Sequence, residues 1–156
     1  MVDALHRAHG WLRPTGYLVD VRPTAEPAHL EVQLAAGIVS VGRVSDVNDL
    51  VGPNARHARA DVALAAAVAR GWFVPEEHCE FSFHRHADTV EEMRDHVRGK
   101  WMGAALEERS LQHAAALQLS EPGARLRLRE QVGIARLRPL EKRRRFTAEN
   151  AAFENP

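Results

Sequence analysis

Five side chains at the ends of two predicted strands could bind a ligand. The first strand covers residues 17–21, where β-branched and aromatic side chains favour extended backbone, and the second covers residues 80–86. Guanidinium and imidazole groups bind anions, while carboxylates accept hydrogen bonds or bind cations. A pocket for an anionic or polar ligand would form if both strand ends lie at one edge of a sheet; otherwise these are ordinary surface residues. The candidates are Asp20, Arg22, His84, His86 and Asp88.

The spacing His84-x-His86 also permits a metal site, because residues two apart in a strand point to the same face. A third ligand would come from His57, His78 or His96, but no spacing completes the set. The alternative interpretation is compositional. The chain has nine histidines among many arginines and alanines, and histidines in structural or surface roles need no metal. The sequence therefore predicts no metal.

The single cysteine, Cys79, stands beside His78. Neighbours in a strand point to opposite faces, so a reactive pair is not predicted, and we expect a buried, inert thiol. The chain contains no Gly-x-Ser-x-Gly, no pair of thiols and no phosphate-binding glycine loop. Any catalytic group therefore stays unknown at this point.

The composition is that of one ordinary globular domain. The chain has 156 residues, 27% of them charged and 45% apolar, with a formal net charge of zero, so no global charge attracts nucleic acid or an acidic membrane. A lone cysteine excludes an internal disulfide and suits a reducing compartment. No apolar run approaches the roughly 20 residues that cross a bilayer. We expect a cytoplasmic protein with no membrane contact.

Positive charge is concentrated near the C-terminus, at Arg136, Arg138 and residues 142–145. A nucleic-acid contact there would be expected to include aromatic platforms, and only Phe146 stands beside these residues. We therefore expect one domain over residues 1–140 and a basic, flexible tail over residues 141–156, and we expect no nucleic-acid partner.

Hydrophobic periodicity and turn residues predict an alternation of helices and strands. Helices are expected over 2–9, 58–70, 90–101 and about 104–119, the third capped by Thr89 and Glu92. Strands are expected over 17–21, 80–86 and 125–137, together with a hairpin of 30–34 and 38–44. A loop is expected over 47–56, and in the strand 80–86 the side chains of Phe81 and Phe83 should face away from those of His84 and His86.

The segment Leu12-Arg13-Pro14-Thr15-Gly16 joins the first predicted helix to the strand 17–21. It resembles the passage that opens the C-terminal half of class I S-adenosylmethionine-dependent methyltransferases: a helix, Leu-Arg/Lys-Pro-Gly-Gly, then the fifth sheet strand. Here Thr15 replaces one glycine. The last strand, around residues 132–138, looks like the family's closing antiparallel strand. The resemblance covers roughly residues 2–139 and implies that the strands 17–21 and 80–86 are parallel, with their ends at one ligand-binding rim.

The family's cofactor site has no counterpart in this sequence. In the family, S-adenosylmethionine lies on a Gly-x-Gly-x-Gly turn, where the backbone approaches the ligand closely, and an acidic residue after the second strand holds the ribose. This chain has no Gly-x-Gly, and its ten glycines are isolated. No cofactor-binding residue is carried over, and we expect S-adenosylmethionine only if a partner supplies the missing half.

We therefore predict an α/β fold: a mixed half-sheet that resembles the C-terminal half of a Rossmann-like methyltransferase, with helices on both faces and an added β-hairpin. In such a half-sheet the strand 17–21 lacks its usual neighbour, and an apolar edge strand must be covered or paired. This predicts a homodimer or a complementary chain joined through that edge. The expected function is that of a methyltransferase-like protein of unknown substrate, inactive as an isolated chain. The alternative is a stand-alone homodimeric small-molecule-binding or interaction protein without enzymatic activity.

Overall fold

A computed structural model describes residues 1–48 and 52–141 of the chain, in which helices and strands alternate. The helices are α1 (Val2–Trp11), α2 (Pro53–Ala69), α3 (Val90–Lys100) and α4 (Glu108–Ser120). The strands are β1 (Leu18–Pro23), β2 (His29–Leu34), β3 (Gly37–Asp46), β4 (Phe73–Ala87), β5 (Ala104–Leu106) and β6 (Arg125–Pro139). The predicted α/β class and the β2–β3 hairpin are confirmed. The predicted tail lies outside the described residues except for Glu141.

Strand β6 is the centre of the sheet. One of its edges pairs with the whole of β4, while the other edge pairs first with β2, at residues 125–129, and then with β1, at residues 132–137. The strands β3 and β5 extend the sheet beyond β2. All neighbouring strands are antiparallel, so the predicted mixed sheet is corrected: β6 lies between the two strands that were expected to be parallel. Because β1 and β4 are both antiparallel to β6, they still run in the same direction.

The hydrophobic core crosses from one face of the sheet to the other along β6. We call the face beneath α1 and α2 the first face and the face beneath α3 and α4 the second face. Near the start of β6, Leu126 and Leu128 point to the second face and are buried among residues of α3 and α4. Near its end, Ala135 and Leu137 point to the first face and pack against α1 and α2. One strand therefore contributes to two clusters on opposite faces.

Two helices begin where a carboxylate or hydroxyl accepts their free N–H groups. The predicted cap of α3 is confirmed, because Thr89 Oγ1 accepts a hydrogen bond from the Glu92 N–H at 3.1 Å. The cap of α2 comes from a distant residue: the Asp46 carboxylate, at the end of β3, accepts hydrogen bonds from the N–H groups of residues 54 and 55, at 3.2 and 2.9 Å. This remote cap explains why α2 begins at Pro53, inside the predicted loop.

Two other boundaries differ from the sequence-based expectation. Residues 104–106 form strand β5 instead of the start of a helix, because pairing with β3 outweighs the helix propensity of two alanines and a leucine. Strand β4 begins at Phe73 and not at residue 80. Its added half, with Pro75 and three polar residues, lacks apolar alternation because most of those side chains are exposed at the sheet edge.

Helix α4 crosses β3 at a point where only glycine fits. A Cβ atom on Gly42 would overlap the Oγ and Cβ atoms of Ser110, which is buried in the first turn of α4. The contact sets how closely this helix approaches the sheet.

We expect Gly42→Ala to lower the free energy of unfolding by about 2 kcal/mol, because a methyl group inserted into a packed contact forces the helix to move. Urea denaturation of the single variants, Gly42→Ala and Ser110→Gly, and of the double variant measures the effect. In the double variant the overlap is removed, so its loss of unfolding free energy should be smaller than the sum of the losses in the two single variants. Additive losses would mean that the two residues do not compete for the same space.

Candidate functional site

The structure places four of the five predicted site residues in two separate regions of the first face. Arg22 lies opposite Gly133 of β6, whereas His84 lies opposite Arg129, four residues away on the same strand. At about 3.3 Å per residue, this separates the two positions by about 13 Å along the sheet. The structure thus brings Asp20 to Arg22, but it does not bring this pair to His84 and His86.

Asp88 belongs to neither region. It follows the end of β4, where its backbone N–H donates to the Glu92 carboxylate at 3.0 Å and its carbonyl accepts a hydrogen bond from Gln118 of α4 at 2.9 Å. Its backbone therefore helps to fix the turn between β4 and the second-face helices, and its side chain is exposed.

Arg22 makes three hydrogen bonds, two of which connect β1 to α2. Its Nε donates to Asp20 at 2.9 Å, its Nη2 to the Asp61 carboxylate at 2.7 Å, and its Nη1 to the carbonyl oxygen of His57 at 3.2 Å. Burial alone would lower the pKa of Arg22, but the two carboxylates outweigh it and raise the pKa above its ordinary value. The guanidinium is thus already neutralised by residues of the protein.

A cleft of about 280 Å³ lies between α2 and the first face, beside Arg22. Its remaining polar wall includes His78 and Glu80 of β4, whose side chains approach to 3.9 Å, and Gly133 forms part of its lining. Three carboxylates (Asp20, Asp61 and Glu80) and a single guanidinium thus line the cleft. This surplus of negative charge favours a cationic or hydrogen-bond-donating guest over the anionic one expected from Arg22.

We expect Arg22→Met to have two effects. It should lower the free energy of unfolding by about 1 kcal/mol, because the β1–α2 hydrogen bonds are lost. Burial and then the nearby Arg22 charge lower the pKa of His57, so the variant should also raise that pKa. Proton NMR titration of His57 measures this second effect. An unchanged His57 titration would contradict the contact with Arg22.

The second region of the first face is built around a buried carboxylate. Glu31 on β2 is only 4% exposed, and it accepts hydrogen bonds from Arg127 Nε at 2.7 Å and Arg129 Nε at 2.8 Å. Burial alone would raise the pKa of Glu31, but the two arginines outweigh it and lower the pKa. His84 and His86 flank the arginines on β4, and partial burial together with the Arg127 charge lowers the pKa of His84. The two hydrogen bonds from Arg127 and Arg129 to Glu31 therefore hold β2 and β6 together.

We expect Glu31→Gln to reduce the free energy of unfolding by about 2 kcal/mol at pH 7, because two charge-assisted hydrogen bonds are weakened. Since the pKa of Glu31 is lower in the folded state, its stabilisation is complete above the unfolded-state pKa and is lost as the pH falls through the folded-state pKa. The difference between variant and wild type should therefore shrink below about pH 4.

The matched control for that experiment is Glu26→Gln, because Glu26 pairs with His29 at 3.2 Å on the exposed surface. This control should change the free energy of unfolding by less than about 0.5 kcal/mol. Chemical denaturation between pH 3 and 7 compares the variants. A Glu31→Gln deficit that stays constant over this range would contradict the lowered pKa.

The histidines and the cysteine form no metal cluster in the part of the chain that the structure describes. Within residues 1–48 and 52–141, no three His, Cys, Asp or Glu side chains are grouped to hold a metal ion. As predicted, Cys79 and His78 point to opposite faces of β4. The expected burial of the thiol is wrong, because Cys79 is exposed on a part of the second face that no described helix covers. Nor do these residues contain a helix long and apolar enough to cross a membrane.

The uncovered part of the second face carries a group of apolar side chains, which we call the apolar strip. Val19 and Val21 are 56% and 57% exposed, and Phe83 is 53% exposed. Among the described residues, β1 pairs only with β6, so the edge of the sheet beside Val19 and Val21 has no partner. The strip comprises Val19, Val21, Phe81, Phe83, Val132 and Ile134, of which only Val132 is buried, and Glu130 and Arg136 stand at its two ends on β6. The register of β1, β6 and β4 places all of these residues on the same face.

The fold and its surfaces define an α/β protein with helices on both faces of an antiparallel sheet, an acidic cleft, a buried glutamate paired with two arginines, and an uncovered apolar strip. No protein-family model matches the chain, and comparisons with curated proteins and with solved structures found no match either.

Proposed function

We propose that these residues form the C-terminal, cofactor-free part of a methyltransferase-like domain, and that polypeptide outside residues 1–156 supplies the S-adenosylmethionine-binding half. The observation that carries the proposal is the edge of β1, which has no partner strand among the described residues. In a complete domain of this kind, a strand of the other half would pair along that edge.

The directions of three strands support this proposal. β1 and β4 run in the same direction and β6 is antiparallel to both, which agrees with the directions that the resemblance implies. Residues 12–16 also form a turn between a helix and a strand, as expected. The Gly16 N–H donates to the Arg13 carbonyl at 2.8 Å, and the chain passes directly from α1 through this turn into β1.

The proposal assigns the chemistry to an assembled domain. The sequence has no glycine turn on which the cofactor could lie, so the isolated chain should not hold S-adenosylmethionine. What this chain contributes is the acidic cleft between α2 and the first face, lined by Asp20, Asp61 and Glu80. Because this cleft favours a cationic or hydrogen-bond-donating guest, it is our candidate site for a methyl acceptor.

The first test is calorimetric titration of S-adenosylmethionine and S-adenosylhomocysteine into the purified chain, with its mass measured by light scattering. We expect no binding by the chain alone. We expect one cofactor per complex when the chain is co-expressed with a polypeptide encoded beside it that contains Gly-x-Gly-x-Gly and an acidic second-strand end.

Cofactor binding by the isolated chain would overturn the proposal, because a site would then exist without the glycine turn. A stable homodimer that binds no cofactor, alone or after co-expression, would instead support the second candidate function, a stand-alone small-molecule-binding protein. The cleft of about 280 Å³ is the observation that favours this alternative. Its volume lies just under the range of about 300–1,000 Å³ that is usual for small-molecule sites, so we place it second.

A further inference from the structure

The apolar strip contains one acidic side chain that the protein leaves unpaired. Glu130 points to the second face of β6, between Leu128 and Val132, and lies opposite Phe83 of β4. No hydrogen bond or ion pair joins its carboxylate to another described residue, and burial raises its pKa. A partly buried carboxylate without a partner is destabilising, so a basic group arriving at this position would be favourable.

The dimensions of the strip match one helix. Two strand spacings of about 4.8 Å separate β1 from β4, which gives a width of about 10 Å. The distance from Glu130 to Arg136 along β6 is about 20 Å at 3.3 Å per residue. An α-helix is about 10 Å across, and about 13 residues span 20 Å.

The strip also continues a surface that helices already cover. On the second face, α3 packs on β4 and β5, α4 packs on β2 and β3, and their core cluster ends at Leu128, next to Glu130. A further helix beside α3 would extend this layer over β1 and the end of β6. Its buried side chains would meet the valines and phenylalanines of the strip.

We propose that the apolar strip is the docking surface for an amphipathic helix that carries a lysine or arginine opposite Glu130. The inference does not depend on the methyltransferase resemblance, because it rests on the exposed side chains, the unpaired carboxylate and the adjoining helix layer. The choice of occupant rests on Glu130, whose carboxylate a basic side chain of the helix would pair; a second copy of this chain is the alternative that the test distinguishes.

The test is a selection from a displayed library of amphipathic helices, with the full chain as bait. The library fixes an apolar stripe at i, i+3, i+4 and i+7 and randomises one position within that stripe. We expect the selected helices to carry lysine or arginine at the randomised position. They should shift the backbone NMR signals of Val21 and Phe83 and leave that of Ile38, away from the strip, unchanged.

Two variants and a matched control complete the test. Phe83→Lys should abolish binding of a selected helix, whereas Ile38→Lys should not affect it, since Ile38 is equally exposed, at 53%, on a strand away from the strip. Glu130→Gln removes the charge with little change in shape and should weaken binding about tenfold.

Three results would overturn the inference: selected helices without a basic residue, equal affinity for wild type and Glu130→Gln, or signal shifts away from the strip. A concentration-dependent dimer that Phe83→Lys disrupts would assign the strip to a second copy instead. Each of these outcomes is independent of cofactor binding, so the inference and the proposed function can fail separately.

Discussion

The length and pairing of β6 constrain every other element of this protein. One edge of the strand pairs with β4 throughout, while the opposite edge pairs with β2 and then with β1. Because side chains alternate along a strand, a shift of one residue would exchange the leucines and the arginines of β6 between the two faces. The hydrogen bonds from Arg127 and Arg129 to Glu31 oppose such a shift on the β2 side. The positions of both core clusters depend on this register.

The same register explains which parts of the site could be predicted. Alternation in the strand 80–86 was enough to place Phe81 and Phe83 on one face and the histidines on the other, and the structure agrees. The distance between Arg22 and His84 could not be predicted from the sequence, because it depends on which residues of β6 lie opposite each of them. No local pattern encodes a pairing between segments more than 40 residues apart.

Two other predictions were wrong because each was made from one segment without the elements that pack against it. The thiol of Cys79 was expected to be buried, yet a strand residue is buried only if something covers its face. The start of α2 was missed because its cap, Asp46, comes from a different element. By contrast, the helix after Thr89 could be predicted because its cap and its apolar stripe are both local.

The two core clusters have different sizes, and this difference has a consequence for stability. The cluster beneath α3 and α4 contains most of the buried side chains, whereas the cluster beneath α1 and α2 has few, with Phe73 and Leu137 as its largest members. Proteins open locally where few apolar contacts hold an element in place. The β1 end should therefore exchange its amide hydrogens faster than the β2 end. A molecule that binds only the closed form of the β1 end would slow this exchange in proportion to its concentration and affinity, so binding there would also act as a regulator of local unfolding.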